Sequence, residues 1–194
     1  MCQYLLDKGW DITAQEPSEL FQDKLRVIKN LKVETCDIME LNGEGSYSFI
    51  YADSVLEHIP DPVLHFKKLA SLLAPGGVLY TISPNEYSLF NFILNIKAKI
   101  KNDTPHYISP YKPPYHLIGF TKKSFKFMAA KSGLELTQYK KWHDYMAYHT
   151  LNSDLNPLIK LPVALVFALA DKLGIGTNGE ALFRKSLSNE KMVL

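Results

Sequence analysis

Three carboxylates stand at matching places in this sequence, each directly after a short run of strand-favouring residues. Glu16 follows Trp10–Gln15, Asp37 follows Val33–Cys36, and Asp53, with Ser54, follows Tyr47–Ala52. A fourth run, Val78–Ser83, ends on Pro84-Asn85. In open α/β sheets, ligands bind beyond the carboxyl ends of the strands, so these are the positions from which side chains reach a ligand. Carboxylates there suit a neutral, hydroxyl-rich or cationic molecule. One such acid can accept from both hydroxyls of a ribose and would repel a 2′-phosphate. Turn chemistry also favours Asp, Glu and Asn, which explains any one of these acids better than all three. Two histidines, His58 and His116, fall in loops at the same end of the strands and are the candidate proton acceptors. Glu57 precedes His58, although adjacent residues on a helix seldom face one another. His65, His106, His143 and His149 have no motif around them. Tyr107, Tyr111 and Tyr115 lie among prolines, where anchoring the loop is preferred to lining a pocket for an aromatic ligand.

The elements that must position these groups follow from periodicity and punctuation. Residues 1–8 read as the end of an amphipathic helix closed by Gly9. Ser18 can cap a helix to about Asn30, with Leu20, Phe21, Leu25 and Ile28 on one side. Asp61-Pro62 marks another helix start, and Val63, Phe66, Leu69, Ala70 and Leu73 form its apolar stripe. Pro75-Gly76-Gly77 is expected to end that helix and turn into the strand at Val78. Strands interleaved with helices imply an α/β fold whose sheet is parallel in this half. Further on, 87–100 reads as a helix with a basic end, and 86–120 as a whole reads as a helix plus a Pro-rich loop, a substrate lid. Thr121 caps a helix that Gly133 ends, 134–139 alternates as a strand, and 179–185 forms the closing strand.

The balance of 22 Lys+Arg against 20 Asp+Glu leaves a formal charge of +2, with no electrostatic footprint for nucleic acid. Hydrophobic residues at 46% exclude a disordered chain, and 194 residues suit a single domain over 1–194. Cys2 and Cys36 are too few for a disulfide scaffold, and the first residues carry no signal-peptide pattern, so a cytoplasmic setting is expected. The apolar helix at 157–173 is too short to span a bilayer. Burial of this helix against the sheet or a partner chain is preferred to peripheral membrane contact through 158–173.

Asp53-Ser-Val-Leu-Glu-His-Ile-Pro-Asp-Pro62, followed by Leu73-Ala-Pro-Gly-Gly-Val-Leu-Tyr-Thr-Ile-Ser-Pro-Asn85, resembles class I S-adenosylmethionine-dependent methyltransferases. The nearer resemblance is to the branch containing ubiquinone-biosynthesis O-methyltransferases, and it extends over about residues 1–140. It implies a Rossmann-like sheet flanked by helices, with S-adenosylmethionine as cofactor. Carried over residue by residue, it implies that Glu16 holds the donor's ribose hydroxyls and Pro17 packs near the adenine face. Asp37 would accept from the adenine amino group with Ile38 against the ring, and Asp53 and Ser54 would lie beside the methionine part. Two departures stand out. The family's first strand and glycine-rich loop have no counterpart here, and the chain begins at the helix expected to follow them. Relatives that bind a divalent metal do so through Glu-x-x-Glu-His, whereas this chain has Ser54-Val-Leu-Glu57-His58, so no metal is expected.

Together these features lead to one expectation: methyl transfer to a small-molecule acceptor, with oxygen as the target atom and His58 or His116 as base. The rival from another class is a truncated or degenerate methyltransferase-like domain without cofactor binding, acting as a structural or interaction module. A nicotinamide-dependent dehydrogenase is the weakest alternative, because Leu56–Pro62 and Leu73–Gly77 have no role in hydride transfer. The oligomeric state is not legible.

Overall fold

The computed structural model describes residues 1–85, 87–100, 116–142 and 157–187. The chain divides into two compact units, Met1–Glu44 and Gly45–Leu194.

The first unit is built around one βαβ crossover. Helix α1 (Cys2–Asp7) leads through Gly9, whose φ of +83° is the left-handed turn expected after it, to strand β1 (Thr13–Gln15). Helix α2 (Glu19–Arg26) then returns the chain to β2 (Lys32–Glu34), which pairs parallel with β1, Gln15 opposite Glu34. The helix is shorter than its sequence pattern implies, and its apolar stripe is not buried. Leu20 and Phe21 are exposed, and the one buried residue of α2 is Gln22. Its amide donates to the carbonyls of Glu16 and Pro17 at 3.2 and 3.4 Å, so hydrogen bonding to the β1–α2 turn, not hydrophobicity, selects the inward face.

The second unit holds a four-stranded mixed sheet in the order β3-β4-β6-β5. Strands β3 (Tyr47–Asp53) and β4 (Leu73–Pro84) are parallel, while β6 (Asn178–Lys185) runs antiparallel to both β4 and β5 (Leu134–Trp142). Between β3 and β4 come a 3₁₀ turn (Leu56–His58) and helix α3 (Pro62–Leu72). Asp61 caps α3 as expected: its Oδ1 accepts from Leu64 N–H at 3.0 Å, and Pro62 occupies the first turn.

The expected turn at Pro75-Gly76-Gly77 is corrected by the structure. Strand β4 begins at Leu73 and runs through these residues, with a register irregularity opposite Tyr47 and Phe49. Gly76 has φ +75°, and a Cβ at Gly77 would lie 2.8 Å from Ala74 O and 3.1 Å from Tyr47 O. The glycine pair therefore carries the strand past the start of β3 instead of stopping it.

One face of this sheet is the core. Leu79, Thr81 and Ser83 of β4 and Ala181 and Phe183 of β6 are buried on it. Phe66 of α3 meets Phe183 edge-on at 4.9 Å, and Phe125 of helix α5 (Lys122–Ser132) lies 5.8 Å from the same ring. Helix α5 shows the expected Thr121 cap in full, with Thr121 and Ser124 bonding reciprocally, and Gly133 at φ +67° ends it. Helix α4 (Leu89–Ile100) leaves the carboxyl end of β4, and helix α6 (Pro157–Lys172) arrives at the start of β6. Helix α6 buries Phe167 and Ala170 and exposes Leu161, Leu165 and Leu169. Among the described residues, no helix is long and apolar enough to cross a membrane. Of the segment 86–120, the Pro-rich part with His106, Tyr107, Tyr111 and Tyr115 lies outside the described residues, as do His143 and His149.

Candidate functional site

In the first unit the expected ligand-facing residues stand where the parallel pair ends. Glu16 follows β1 directly, and its N–H donates to Glu34 O at 2.9 Å. Its Oε1 accepts from Ser18 N–H at 2.9 Å, so the carboxylate sits over the start of α2. A ribose role therefore relies on its other oxygen and remaining lone pairs. Pro17 is exposed beside it. Asp37 is exposed beyond β2, with Oδ1 accepting from Met39 N–H at 2.8 Å, and Ile38 is half-buried. The β1 and β2 ends are further tied by Gln15 Nε2 donating to Cys36 O at 2.8 Å.

In the second unit, Asp53 closes β3 and both of its carboxylate oxygens are engaged. Tyr51 Oη donates to Oδ2 at 2.8 Å and Ser54 Oγ donates to Oδ1 at 3.0 Å. Ser54 adopts φ +54°, a left-handed conformation that costs a non-glycine residue roughly 1–3 kcal/mol. Its N–H is held by Ile82 O at 3.0 Å, which fixes the sharp exit from the strand. Tyr51 stacks on Tyr80 of β4, ring centroids 5.5 Å apart and planes 7° from parallel, and Tyr80 Oη donates to Glu180 Oε2 at 3.0 Å. Burial first, then the hydrogen bond to Asp53, pushes the Tyr51 phenol up to about 12, and the same kinds of cause, with Glu180 as partner, raise Tyr80.

The 3₁₀ turn brings Glu57 and His58 to the same end of the sheet. The carbonyl of Glu57 accepts from Leu117 N–H at 2.8 Å and Ile118 N–H at 3.3 Å, which pins the segment carrying His116 against the turn. Phe120 bridges to Asn85 beyond β4 and stacks on Phe125 at 5.2 Å, anchoring the other end of that segment in the core. The two sequence candidates are thereby brought together: the rings of His58 and His116 lie 5.0 Å apart at 59°.

Glu57 is fully buried beside them, and potential donor atoms of Glu57, His58 and His116 all fall within 4.8 Å of one another. Such donors could share a proton or, with further ligands, hold a cation. Neither Glu57 oxygen has a hydrogen-bond partner among the described residues, nor do the buried hydroxyls of Thr81 and Ser83. Burial raises the Glu57 carboxyl above its ordinary value. Its own backbone, His58, the nearby Ser83 hydroxyl and His116 offset part of this, although the carboxyl makes no hydrogen bond of good geometry.

Sequence reasoning placed Asp53, Ser54, His58 and His116 but passed over Tyr51, Tyr80, Ser83 and Glu180. A signal existed for Tyr51, which lies two residues before Asp53 and so on the same strand face. None existed for Tyr80 and Glu180, whose partners are set by strand pairing.

Each unit carries a parallel βαβ crossover with an acid beyond a strand end, Glu16 and Asp37 in the first and Asp53 in the second, as in Rossmann-like α/β folds. A family model described as a methyltransferase domain matches residues 1–139, and the chain belongs to that family. The ubiquinone biosynthesis O-methyltransferase of Colwellia psychrerythraea is 25% identical over 132 residues, covering 66% of this chain and 51% of the relative. The enzyme of that name from Marinobacter nauticus is 31% identical over 81 residues, covering 38% of this chain and 34% of its own length. The chain thus spans about half the length, or less, of these curated relatives. The solved structure of an S-adenosylmethionine dependent methyltransferase from Mesorhizobium loti superimposes with a TM-score of 0.60 at 13% identity, covering 95% of this chain and 85% of that one. At that identity, the likeness is one of fold.

Proposed function

We propose that this chain takes part in methyl transfer from S-adenosylmethionine to the oxygen of a small-molecule acceptor. Membership of the methyltransferase family supports the reaction class, and the relatives described as O-methyltransferases support oxygen. The observation that carries the mechanism is the imidazole pair of His58 and His116 beside the buried carboxyl of Glu57.

The donor supplies a sulfonium methyl group, which the acceptor oxygen attacks in line while the S–CH₃ bond breaks. Positioning therefore does most of the work. The hydroxyl proton must leave as the O–C bond forms, and an imidazole of the pair takes it. S-adenosylhomocysteine departs neutral at sulfur. Glu16 would hold the ribose with Pro17 at the adenine face, Asp37 and Ile38 the base, and Asp53 with Ser54 the methionyl end. Glu16 and Asp37 at the ends of β1 and β2, and Asp53 at the end of β3, are consistent with those roles. Ser54 in place of a first acidic ligand argues that the cluster works as a proton acceptor and needs no metal.

Calorimetric titration with S-adenosylhomocysteine tests the reading. Binding is expected, with Glu16→Ala weakening it about tenfold or more, in line with loss of a charged hydrogen-bonding partner. His58→Asn or His116→Asn should lower kcat by about 10²–10⁴-fold, the usual contribution of a positioned base. Activity should survive EDTA; loss on chelation and recovery with a divalent ion would assign the cluster to a metal. No binding heat at millimolar ligand would favour the rival reading, an interaction module.

A further inference from the structure

Asp53 is held more tightly than a strand-end acid needs to be. The Tyr51 phenol grips one oxygen, the Ser54 hydroxyl the other, and the Ser54 backbone is fixed in a left-handed conformation by Ile82 O. Behind Tyr51 the Tyr80 ring lies parallel at 5.5 Å, and Tyr80 is itself tethered to Glu180 across the β4–β6 pair. Strand register explains why these groups meet: Tyr51 is opposite Tyr80, and Asp53 and Glu180 are both opposite Ile82. Alternate positions of a strand share one face and paired residues lie side by side, so the two phenols and the two carboxylates form a connected row across three strands.

We infer that Tyr51 is a positioning residue, which sets the orientation of the Asp53 carboxylate toward the ammonium at the methionyl end of the donor, with Tyr80 as the ring that holds Tyr51 in place. This rests on the reading of Asp53 given above. A carboxylate with two rotatable bonds at an exposed strand end loses rotamer freedom when it binds a cation, and a side chain already held in one orientation loses less. The phenol also orders the acid without neutralising it, because its proton stays on Tyr51. Tyr51 touches neither donor nor acceptor in this scheme; it acts through Asp53.

The test is a double-mutant cycle on the full chain, read by calorimetric titration with S-adenosylhomocysteine and by steady-state kinetics. Tyr51→Phe is expected to raise the Kd about three- to tenfold, the effect of losing one hydrogen bond. KM for the donor should rise in step, kcat at saturating donor should stay within about twofold, and the melting temperature should hold, because Tyr51 is 39% exposed. Asp53→Ala should weaken binding at least as much, and adding Tyr51→Phe to it should change Kd by less than about twofold. Full loss from Tyr51→Phe in the Asp53→Ala background would overturn the positioning role. So would an unchanged Kd for Tyr51→Phe where Asp53→Ala does weaken binding, and in that case the place of Asp53 would stand. An unchanged Kd for Asp53→Ala, or no binding by the unaltered chain, would overturn the reading of Asp53 and the inference with it.

Discussion

Replacing Lys185 by Met would separate the last strand of the sheet from the helix it secures. Helix α3 passes straight into β4 at Leu73, whose extended backbone leaves no glycine cap for the final carbonyls. Lys185 of β6 supplies the missing donors: its Nζ bonds Ala70 O at 2.8 Å, Leu73 O at 2.6 Å and, more loosely, Ser71 O at 3.4 Å. Ser71 O also accepts from Gly45 N–H, so the loss falls mainly on Ala70 and Leu73. A hydrogen bond to a charged group contributes about 1.5–3 kcal/mol, and a cation at a helix C-terminus adds about 0.3–1 kcal/mol. Two close bonds from a half-buried ammonium, reduced for solvent screening, come to about 2–4 kcal/mol. For a chain of this size that corresponds to a fall in Tm of about 5–15 °C. Urea unfolding followed by Trp142 fluorescence in a Trp10→Phe background reports on the second unit alone, since Trp142 lies on β5 and Trp10 in the first unit. Lys172→Met, at an exposed residue ending α6, controls for loss of charge and should stay within about 0.5 kcal/mol. A loss below about 0.5 kcal/mol for Lys185→Met, with an unchanged m-value, would refute this account of how α3 ends.

Two further substitutions test buried groups by their pH dependence. Tyr139 carries a buried hydroxyl without a partner among the described residues, and burial pushes its phenol up to about 12. The unfolded chain ionises near the ordinary tyrosine value and the folded one later, so stability falls as pH rises from about 10 to 12. Tyr139→Phe should be neutral or stabilising at pH 7 and should flatten that alkaline loss; a loss above about 1 kcal/mol at pH 7 would contradict the unpartnered hydroxyl. Glu57, whose carboxyl is raised by burial, keeps its proton in the fold at pH values where the unfolded chain has lost it. Stability therefore declines as pH climbs from the ordinary carboxylate range toward the raised value. Glu57→Gln should stabilise the chain at pH 7 and lose that advantage near pH 4, as read by thermal melts at the two pH values. An equal effect at both would show that the carboxyl is not held neutral by its surroundings.

Local chemistry was legible and long-range pairing was not. The Asp61-Pro62 start, the Thr121 cap and the Gly133 stop are each decided within four residues, and all three stand as the sequence implies. The acids at strand ends were legible for the same reason. By contrast, Pro75-Gly76-Gly77 has the composition of a turn, yet it extends β4 because Tyr47 pairs with Leu73 across the sheet. Leu20 and Phe21 have helical spacing but lie outside, where Gln22 turns inward to two carbonyls. The meeting of His58 and His116 depends on a carbonyl of Glu57 reached from nearly sixty residues away, and no pattern within either segment encodes it.

The position of β6 has a consequence for how the sheet comes into being. Strand β6, the last of the described strands, lies between β4 and β5, not at an edge. As the chain leaves the ribosome, β4 offers one face of hydrogen-bonding groups and β5 another, and neither can be satisfied until residues 178–185 have emerged. Closure is therefore a late, non-local event, slow by the entropy of bringing β4 and β6 together across roughly a hundred intervening residues. Until then one edge of β4 and both edges of β5 stand open to other chains, which makes the time before residues 178–185 emerge one of exposure to aggregation and to chaperones.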